Sequence, residues 1–449
     1  MSFPFTDGMF GTVATAGIFS ADRTVYWMLA FEAVLARAQA QAGVIPGEAA
    51  ESIARVCAAG PIDLERLADD AILSANAAAP LVKQLTAAVA EVDPEAAKYV
   101  HWGATSQDAL DTALVLQLRE SIALLRVDLD GLAQTLVQLI EQHQATPMAG
   151  RTLLQQALPM TFGFKVAGWL DVVMRHQDRL LALYGSVSVL QFGGAAGTLA
   201  SLGDKAQPVA QVLAQALDLT LPEIPWHAHR DRLAEVATTC GLLVGTLGKI
   251  AGDIALSSQT EIGELAEPVE PGKGGSSTLP HKRNLVGCNY VIAAAMRVPN
   301  LVATMLGAMA HEHERAAGAW HAEWEVMPEI LRLTGGALAN LIRMTEKLDV
   351  NAARMHENLG ITRGQLMAES ITLALGSQIG RMRVYQVVNA ACQRANASGG
   401  TLRDAMTEDP EINRLLGPEE MDRLLDPSTY LGQSVAFATS VLERQRRRA

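Results

Sequence analysis

From Asp108 to Gln144 the chain reads DALDTALVLQLRESIALLRVDLDGLAQTLVQLIEQHQ, and this stretch decides the fold class. Leu110, Leu114, Leu118, Ile122, Leu125, Leu129, Leu132, Leu136 and Leu139 recur every three or four residues, which at 3.6 residues per turn makes one apolar stripe on a helix. Thr105 and Ser106 stand just before it as candidate N-caps. At 1.5 Å per residue such a helix is roughly 55 Å long. A helix of that length needs partners along its whole extent, so the stretch predicts a bundle of several long helices shared between subunits.

Working outward, further helical blocks are expected from about Leu158 to Tyr184, from Asp231 to Glu264, and from Asn284 past Pro299 to Ala317; Pro328 then opens a helix reaching Lys347. No segment sustains a period of two, so strands are not expected. Gly193 to Gly197 reads as a glycine-rich turn needed for close backbone packing, since no strand precedes it to make a phosphate cradle. Pro268 to Pro280 has the composition of a flexible loop. The expected division is an N-terminal helical domain over 1–104, a central long-helix domain over 105–347 carrying the loop 268–284, and a C-terminal helical domain over 348–449.

Composition bounds the function. A chain of 449 residues with 49% hydrophobic and 19% charged residues has the core of a folded protein, and 5% aromatics suits tightly packed Ala- and Leu-rich helices. The formal charge of −12 argues against nucleic acid, whose phosphates need clustered Lys and Arg. The one basic run, Arg444 to Arg448, reads as a frayed tail. The four cysteines lie far apart, make no CxxC pair and suit a reducing cytoplasm. The N-terminus lacks the pattern of a signal peptide. Val291 to Ala310 is apolar, but Arg297, Pro299 and Asn300 interrupt it, so a buried helix is expected rather than a membrane span.

The segment Gly274-Gly275-Ser276-Ser277-Thr278-Leu279-Pro280-His281-Lys282-Arg283-Asn284 carries the most chemistry. It is not a nucleotide P-loop, because Gly272-Lys273 is followed by Gly274 rather than Ser or Thr. Backbone amides and Lys282 could hold a carboxylate while a serine exchanges a proton with a neighbouring carbon. By composition alone a plain surface loop stands beside that reading.

The segment resembles the signature loop of the fumarase/aspartase superfamily, Gly-Ser-Ser-x-Met-Pro-x-Lys-x-Asn, matching at Gly275, Ser276, Ser277, Pro280, Lys282 and Asn284, with Leu279 where Met is usual. Two more superfamily regions follow the right order, His101 to Asp108 (HWGATSQD) and Arg151 to Thr161 (RTLLQQALPMT). Within the superfamily the chain resembles the bacterial 3-carboxy-cis,cis-muconate cycloisomerases at Val100 to Asp108, Leu190 to Ala195, Trp226 to Arg232, Glu312 to Trp324 and Leu424 to Gly432. The resemblance implies an all-α, three-domain fold around a long central bundle. It also implies a homotetramer whose active sites combine three subunits, and a small tricarboxylate substrate with no cofactor or metal.

Many amine- and water-eliminating members carry a His where this chain has Leu153 and a Glu near Asn289. A cycloisomerase uses the substrate's own carboxylate, with a pKa near 4, as nucleophile, and so does not need that acid pair. The comparable cycloisomerases often have Trp at the Leu153 position, and Pro is commoner at Leu285. On this resemblance Ser277 or Ser276 moves the proton. Lys282 and Asn284 stabilise the developing charge, and His101, Thr105, Ser106, Arg151, Gln155 and Arg315 bind substrate. Alternative readings are a fumarate-releasing lyase such as an adenylosuccinate lyase, and a crystallin-like structural protein, for which intact Ser276, Ser277, Lys282 and Asn284 would be superfluous.

Some residues also have plainer readings. His311 and His313 point to different sides of a helix, and His227 and His229 lack a third ligand, so no metal site is expected. Arg230 could touch substrate. Arg315, placed in an apolar helical context, could instead pair with Glu312, Glu314 or a neighbouring subunit.

Overall fold

The structure is a computed structural model that describes residues 4–448 except Ser277, and helices dominate it. The apolar stripe forms one helix, Ser106–His143, of 38 residues. Leu118, Ile122, Leu125, Leu129, Leu132 and Leu136 are buried along it, while Leu110 and Leu114 at its start are half-buried. Phe162–Val187, Asp231–Ser257, Gly287–Gly307 and Ala319–Glu346 supply the other long helices.

Several expected boundaries shift. Ala319–Glu346 begins before Pro328, which sits inside it rather than opening it. Gly287–Gly307 does run through Pro299 but stops at Gly307, leaving residues 308–318 irregular. The expected absence of strands is corrected. Pro147–Thr152 pairs antiparallel with Gln155–Thr161, and Leu265–Ala266 pairs with Asp349–Val350. The first hairpin takes Leu158 to Thr161 away from the helix expected there. The C-terminal basic run is likewise not frayed: Ser434–Arg448 is helical, and Arg444 and Arg446 pair with Asp171 and Glu141.

Contacts divide the chain into two units. The first comprises the chain up to Leu129 with His176–Gly248 and Tyr290–Asn340; the second comprises Asp130–Arg175, Lys249–Asn289 and the chain from Leu341 on. In the first unit Ala21–Gln41, capped by the Ser20 hydroxyl, packs with Gly47–Ala59 and Ala78–Val92 around Leu29, Ile53, Leu81 and Leu85. In the second, Ala368–Ile379 and Arg381–Ser398 close on shorter helices around Ile371, Val388, Leu402 and Met406. Asp231–Ser257 and Gly287–Gly307 are long and apolar enough to cross a membrane, a test that core helices also pass. Asp231–Ser257 buries Leu233, Val236, Leu243, Leu247 and Ile254 within the protein.

Candidate active site

The sequence-predicted residues fall into two groups, one in each unit. In the first unit His101, Thr105 and Ser106 lead into the long helix, and Arg315 joins them from the irregular stretch 308–318. Thr105 does not cap the helix with its hydroxyl. Instead Asp108 reaches back to accept from the Thr105 amide at 3.0 Å, and the Thr105 hydroxyl accepts from Arg315 Nη2 at 3.2 Å.

Asp108 is buried, which an ionised carboxylate tolerates only when its lone pairs are engaged. The amides of Gly193 and Gly194 donate to it at 2.8 and 2.9 Å, and His227 Nε2 lies 2.8 Å away. The glycine-rich turn thus serves close packing around a carboxylate. A Cβ on Gly193 would stand 2.8 Å from the His227 ring, and Gly194 holds a φ of +67°.

One turn further along, Asp111 and Glu323 enclose Arg230. The guanidinium donates to Asp111 at 2.6 and 3.0 Å and to Glu323 at 2.5 to 3.2 Å, with all three side chains buried. Burial opposes the Arg230 charge, yet the two carboxylates raise its pKa above the ordinary value. His311 lies buried 3.3 Å from Glu323 Oε1. Arg230 is therefore a structural ion-pair centre, which corrects its reading as a substrate contact. Among the described residues no group of three or more His, Cys, Asp and Glu is arranged to hold a metal ion.

Arg315 differs. It is exposed and lies outside any helix, so the apolar helical context expected for it is not there. Its donors go to neutral acceptors: Gln107 Oε1 at 3.1 Å, the Thr105 hydroxyl, and the Ala195 carbonyl at 3.2 Å. Gln107 has no freedom in this, because its Nε2 donates to Asp111 and to the His227 carbonyl, turning its oxygen to Arg315. Among the described residues Arg315 has no carboxylate partner, neither Glu312 nor Glu314. Its charge stays available beside Thr105.

His101 occupies a left-handed turn (φ +57°) whose carbonyl accepts from the Ala104 amide. Its Nδ1 lies 2.5 Å from Oε1 of the buried Glu32. Burial lowers the imidazole pKa, but Glu32, with a smaller contribution from Asp108, outweighs it and holds the ring above its ordinary value. Ser106 is half-buried as the first helical residue.

In the second unit the hairpin turns at Leu153 and Leu154, both with positive φ (50° and 66°) and both exposed. Arg151 on this hairpin faces Glu264, donating at 2.9 and 2.7 Å in a two-pronged pair. Glu264 is buried and also accepts from Asn358 at 2.8 Å. Arg151 thereby ties the hairpin to the strand at Leu265–Ala266, with its charge neutralised. Gln155 is exposed at the hairpin tip.

The signature loop lines a cavity of about 920 Å³ together with Gln259, Asn289 and Asp349. Two clasps close its base. The Asn284 amide donates to the Gly274 carbonyl at 3.0 Å, in a turn so tight that a Cβ on Gly274 would stand 2.4 Å from the Asn284 carbonyl oxygen. Glu267 accepts from the amides of Val286, Gly287 and Cys288, neutralising the positive end of the helix that follows. The Ser276 hydroxyl accepts from the Leu279 amide at 3.0 Å, shaping the turn; Ser277 lies outside the described residues. Of the loop's cations, Lys273 lies by Glu267 and Glu270, and Arg283 by Asp349. Lys282 is exposed, lines the cavity and has no carboxylate partner among the described residues.

Sequence reading missed Glu32, Asp108, Asp111, Glu264, Glu267 and Glu323 as partners. The available signal was the run of polar residues Gln107, Asp108, Asp111 and Thr112 at helical spacing at the start of a helix that turns apolar further on.

Comparison with known proteins places the chain in a family. A family model described as "Lyase" matches residues 8–300, and one described as "Adenylosuccinate lyase C-terminus" matches residues 364–441. The chain is 49% identical over 436 residues to the 3-carboxy-cis,cis-muconate cycloisomerase of Pseudomonas aeruginosa, covering 97% of this chain and 95% of that one. It is 48% identical over 416 residues to that of Pseudomonas putida, covering 93% and 99%. The crystal structure of the Pseudomonas putida 3-carboxy-cis,cis-muconate lactonizing enzyme superposes with a TM-score of 0.94 at 47% identity, covering 99% of both chains. Likeness of this extent over nearly the whole chain assigns the lineage: the chain belongs to the fumarase/aspartase superfamily of lyases, alongside the 3-carboxy-cis,cis-muconate cycloisomerases.

Proposed function

We propose that this protein is a cycloisomerase that converts 3-carboxy-cis,cis-muconate to its carboxymuconolactone in aromatic catabolism. The observation that carries the reading is the near-full-length likeness to cycloisomerases of that name. Arg315 and Lys282, which have no carboxylate partner among the described residues, suit a substrate with three carboxylates.

One substrate carboxylate, ionised at neutral pH, attacks a carbon of the conjugated diene and closes a five-membered lactone. Electrons move toward a second carboxylate, which becomes an aci-carboxylate, and Lys282, Asn284 and loop amides stabilise that charge. A hydroxyl proton from Ser277 or Ser276 then passes to the neighbouring carbon, and solvent replaces it. Arg315 with Thr105, and His101 with Ser106, grip the remaining carboxylates. Gln155 reaches substrate from the hairpin tip, while Arg151 acts on it through the hairpin it anchors. No step calls for a metal or cofactor, and neither lyase acid is required at Leu153 or Asn289.

We infer further that the chain works as a homotetramer in the cytoplasm, each site combining the long-helix mouth, the hairpin and the signature loop from three copies. Two features favour assembly. Little of the apolar Gly287–Gly307 helix is buried within the chain, with Met296 and Leu306 exposed, and the Leu153-Leu154 tip stands in solvent. The three-part division at 104 and 347 belongs to this reading. A fumarate-releasing or crystallin-like role has no better support.

The test is the ultraviolet absorbance of 3-carboxy-cis,cis-muconate with the purified protein, with and without chelator. The expected result is rapid loss of diene absorbance at an unchanged rate when chelator is present. Unchanged absorbance would overturn the activity, and loss of the rate with chelator would overturn the metal-free mechanism.

A further inference from the structure

Helix Ala21–Gln41 faces the core with Val25, Met28, Leu29, Phe31 and Leu35, and among these apolar residues it buries one carboxylate, Glu32, 2% exposed. A buried carboxylate without a partner is costly. Among the described residues the partner of Glu32 is the Nδ1 of His101, at 2.5 Å. His101 in turn sits in a backbone conformation that non-glycine residues seldom adopt. Two unfavourable features, a buried charge and a left-handed residue, thus meet in one contact. A hydrophobic side chain at position 32 would serve packing as well and would leave the turn free to relax.

The contact has a chemical consequence. A carboxylate offers no proton, so Nδ1 of His101 is the donor in this pair and the ring orientation is fixed. With Nδ1 engaged, the remaining ring donor of a charged His101 is Nε2. That atom has no hydrogen bond among the described residues and is not one of the buried atoms lacking a partner. Three residues on, Ala104 closes the same turn, and Thr105 meets Arg315.

We propose that Glu32 is a positioning residue that holds His101 turned, with its Nε2 donor outward, to grip a carboxylate of the substrate alongside Arg315. This rests on the reading of His101 as a substrate-binding residue and deepens it. Glu32 touches no substrate and acts through the imidazole.

The other groups around the pair do not replace Glu32. Asp108, on the long helix, raises the imidazole pKa in the same direction but is already engaged by Gly193, Gly194 and His227. Cys57, on Gly47–Ala59, senses the Glu32 charge, but burial pushes its thiol up to about 12, so it is neutral under working conditions. For a cationic donor with a raised pKa, binding strength is full at low pH and is lost as pH rises through the folded-state value. Removing the Glu32 charge leaves burial, which lowers the imidazole pKa, so the loss moves to lower pH.

The experiment compares wild type, Glu32→Gln and Glu32→Asp in two measurements: the pH dependence of kcat/KM on 3-carboxy-cis,cis-muconate, and the NMR titration of the His101 ring. Glu32→Gln is expected to raise KM about tenfold or more with a smaller change in kcat. It should also shift the alkaline fall of kcat/KM, and the His101 titration, to lower pH. Glu32→Asp keeps the charge and restores much of both, which a purely structural role would not do. Superimposable pH profiles in wild type and Glu32→Gln, or His101 titrating at the same pH in both, would overturn the proposal. Failure of the wild type to turn over this substrate would instead overturn the functional reading, and the NMR titration would still decide whether Glu32 charges and orients His101.

Discussion

Arg230 and Arg315 belong to the same unit and reach the same short stretch of the long helix, yet they are built for opposite ends. Arg230 is enclosed by Asp111 and Glu323, with every donor directed and no exposure to speak of. Arg315 is exposed and, among the described residues, bonds to an amide oxygen, a hydroxyl and a carbonyl. Gln107 links them, bonding Asp111 on one side and Arg315 on the other. The difference teaches how a chain of net charge −12 can attract a trianion: cations needed for the scaffold are neutralised in place, and a few others are oriented by neutral groups so that their charge survives.

The largest effect that could break this comparison is on stability. Arg230→Met removes the cation from between two buried carboxylates and should lower unfolding stability by about 3–5 kcal/mol, read as the urea midpoint. A midpoint within error of wild type would mean that Arg230 is not the structural member of the pair. Lys282→Ala should leave that midpoint alone and lower kcat about 10²- to 10³-fold, as expected for losing a donor aimed at developing charge; an unchanged kcat would remove Lys282 from the mechanism. Arg315→Ala should raise KM about 10- to 100-fold, the loss of one charged hydrogen-bond donor to an anion, with stability within about 0.5 kcal/mol. If Arg315→Ala instead unfolds as readily as Arg230→Met, the contrast fails.

The smallest effect sharpens the contrast between interior and surface. Burial pushes the thiols of Cys57 and Cys240 up to about 12, so their thiolates appear only as pH rises toward that value. Under native conditions at neutral pH, alkylation followed by mass spectrometry should label the half-exposed Cys392 first and leave those two unmodified until urea is added. Early labelling of Cys240 would show that the Asp231–Ser257 helix opens.

The long helix was legible because nine apolar residues at helical spacing have few alternatives to a stripe. The hairpin 147–161 was not. Gly150 sits at a register shift, Pro147 and Pro159 interrupt the alternation, and the turn uses Leu153-Leu154 where Asn or Gly would announce it. The signature loop was legible as a motif, but its two clasps depend on pairings the spacing does not announce, and Ser277 lies outside the described residues. Arg230 read as a possible substrate contact, and an ion pair stood beside substrate binding for Arg315, since their partners lie 93 to 210 residues away and periodicity carries no information at that range. Glu32 carries no motif that sets it apart in the sequence; its burial and its His101 partner are set by tertiary packing.

The hairpin tip carries one more consequence. Leu153 and Leu154 are 97% and 78% exposed in left-handed conformations that cost energy for non-glycine residues. Among the described residues nothing covers the tip; in the proposed homotetramer a neighbouring copy covering it would help hold the protein in its working form. For that proposed assembly, mass action predicts that on progressive dilution the specific rate falls and on reconcentration it recovers.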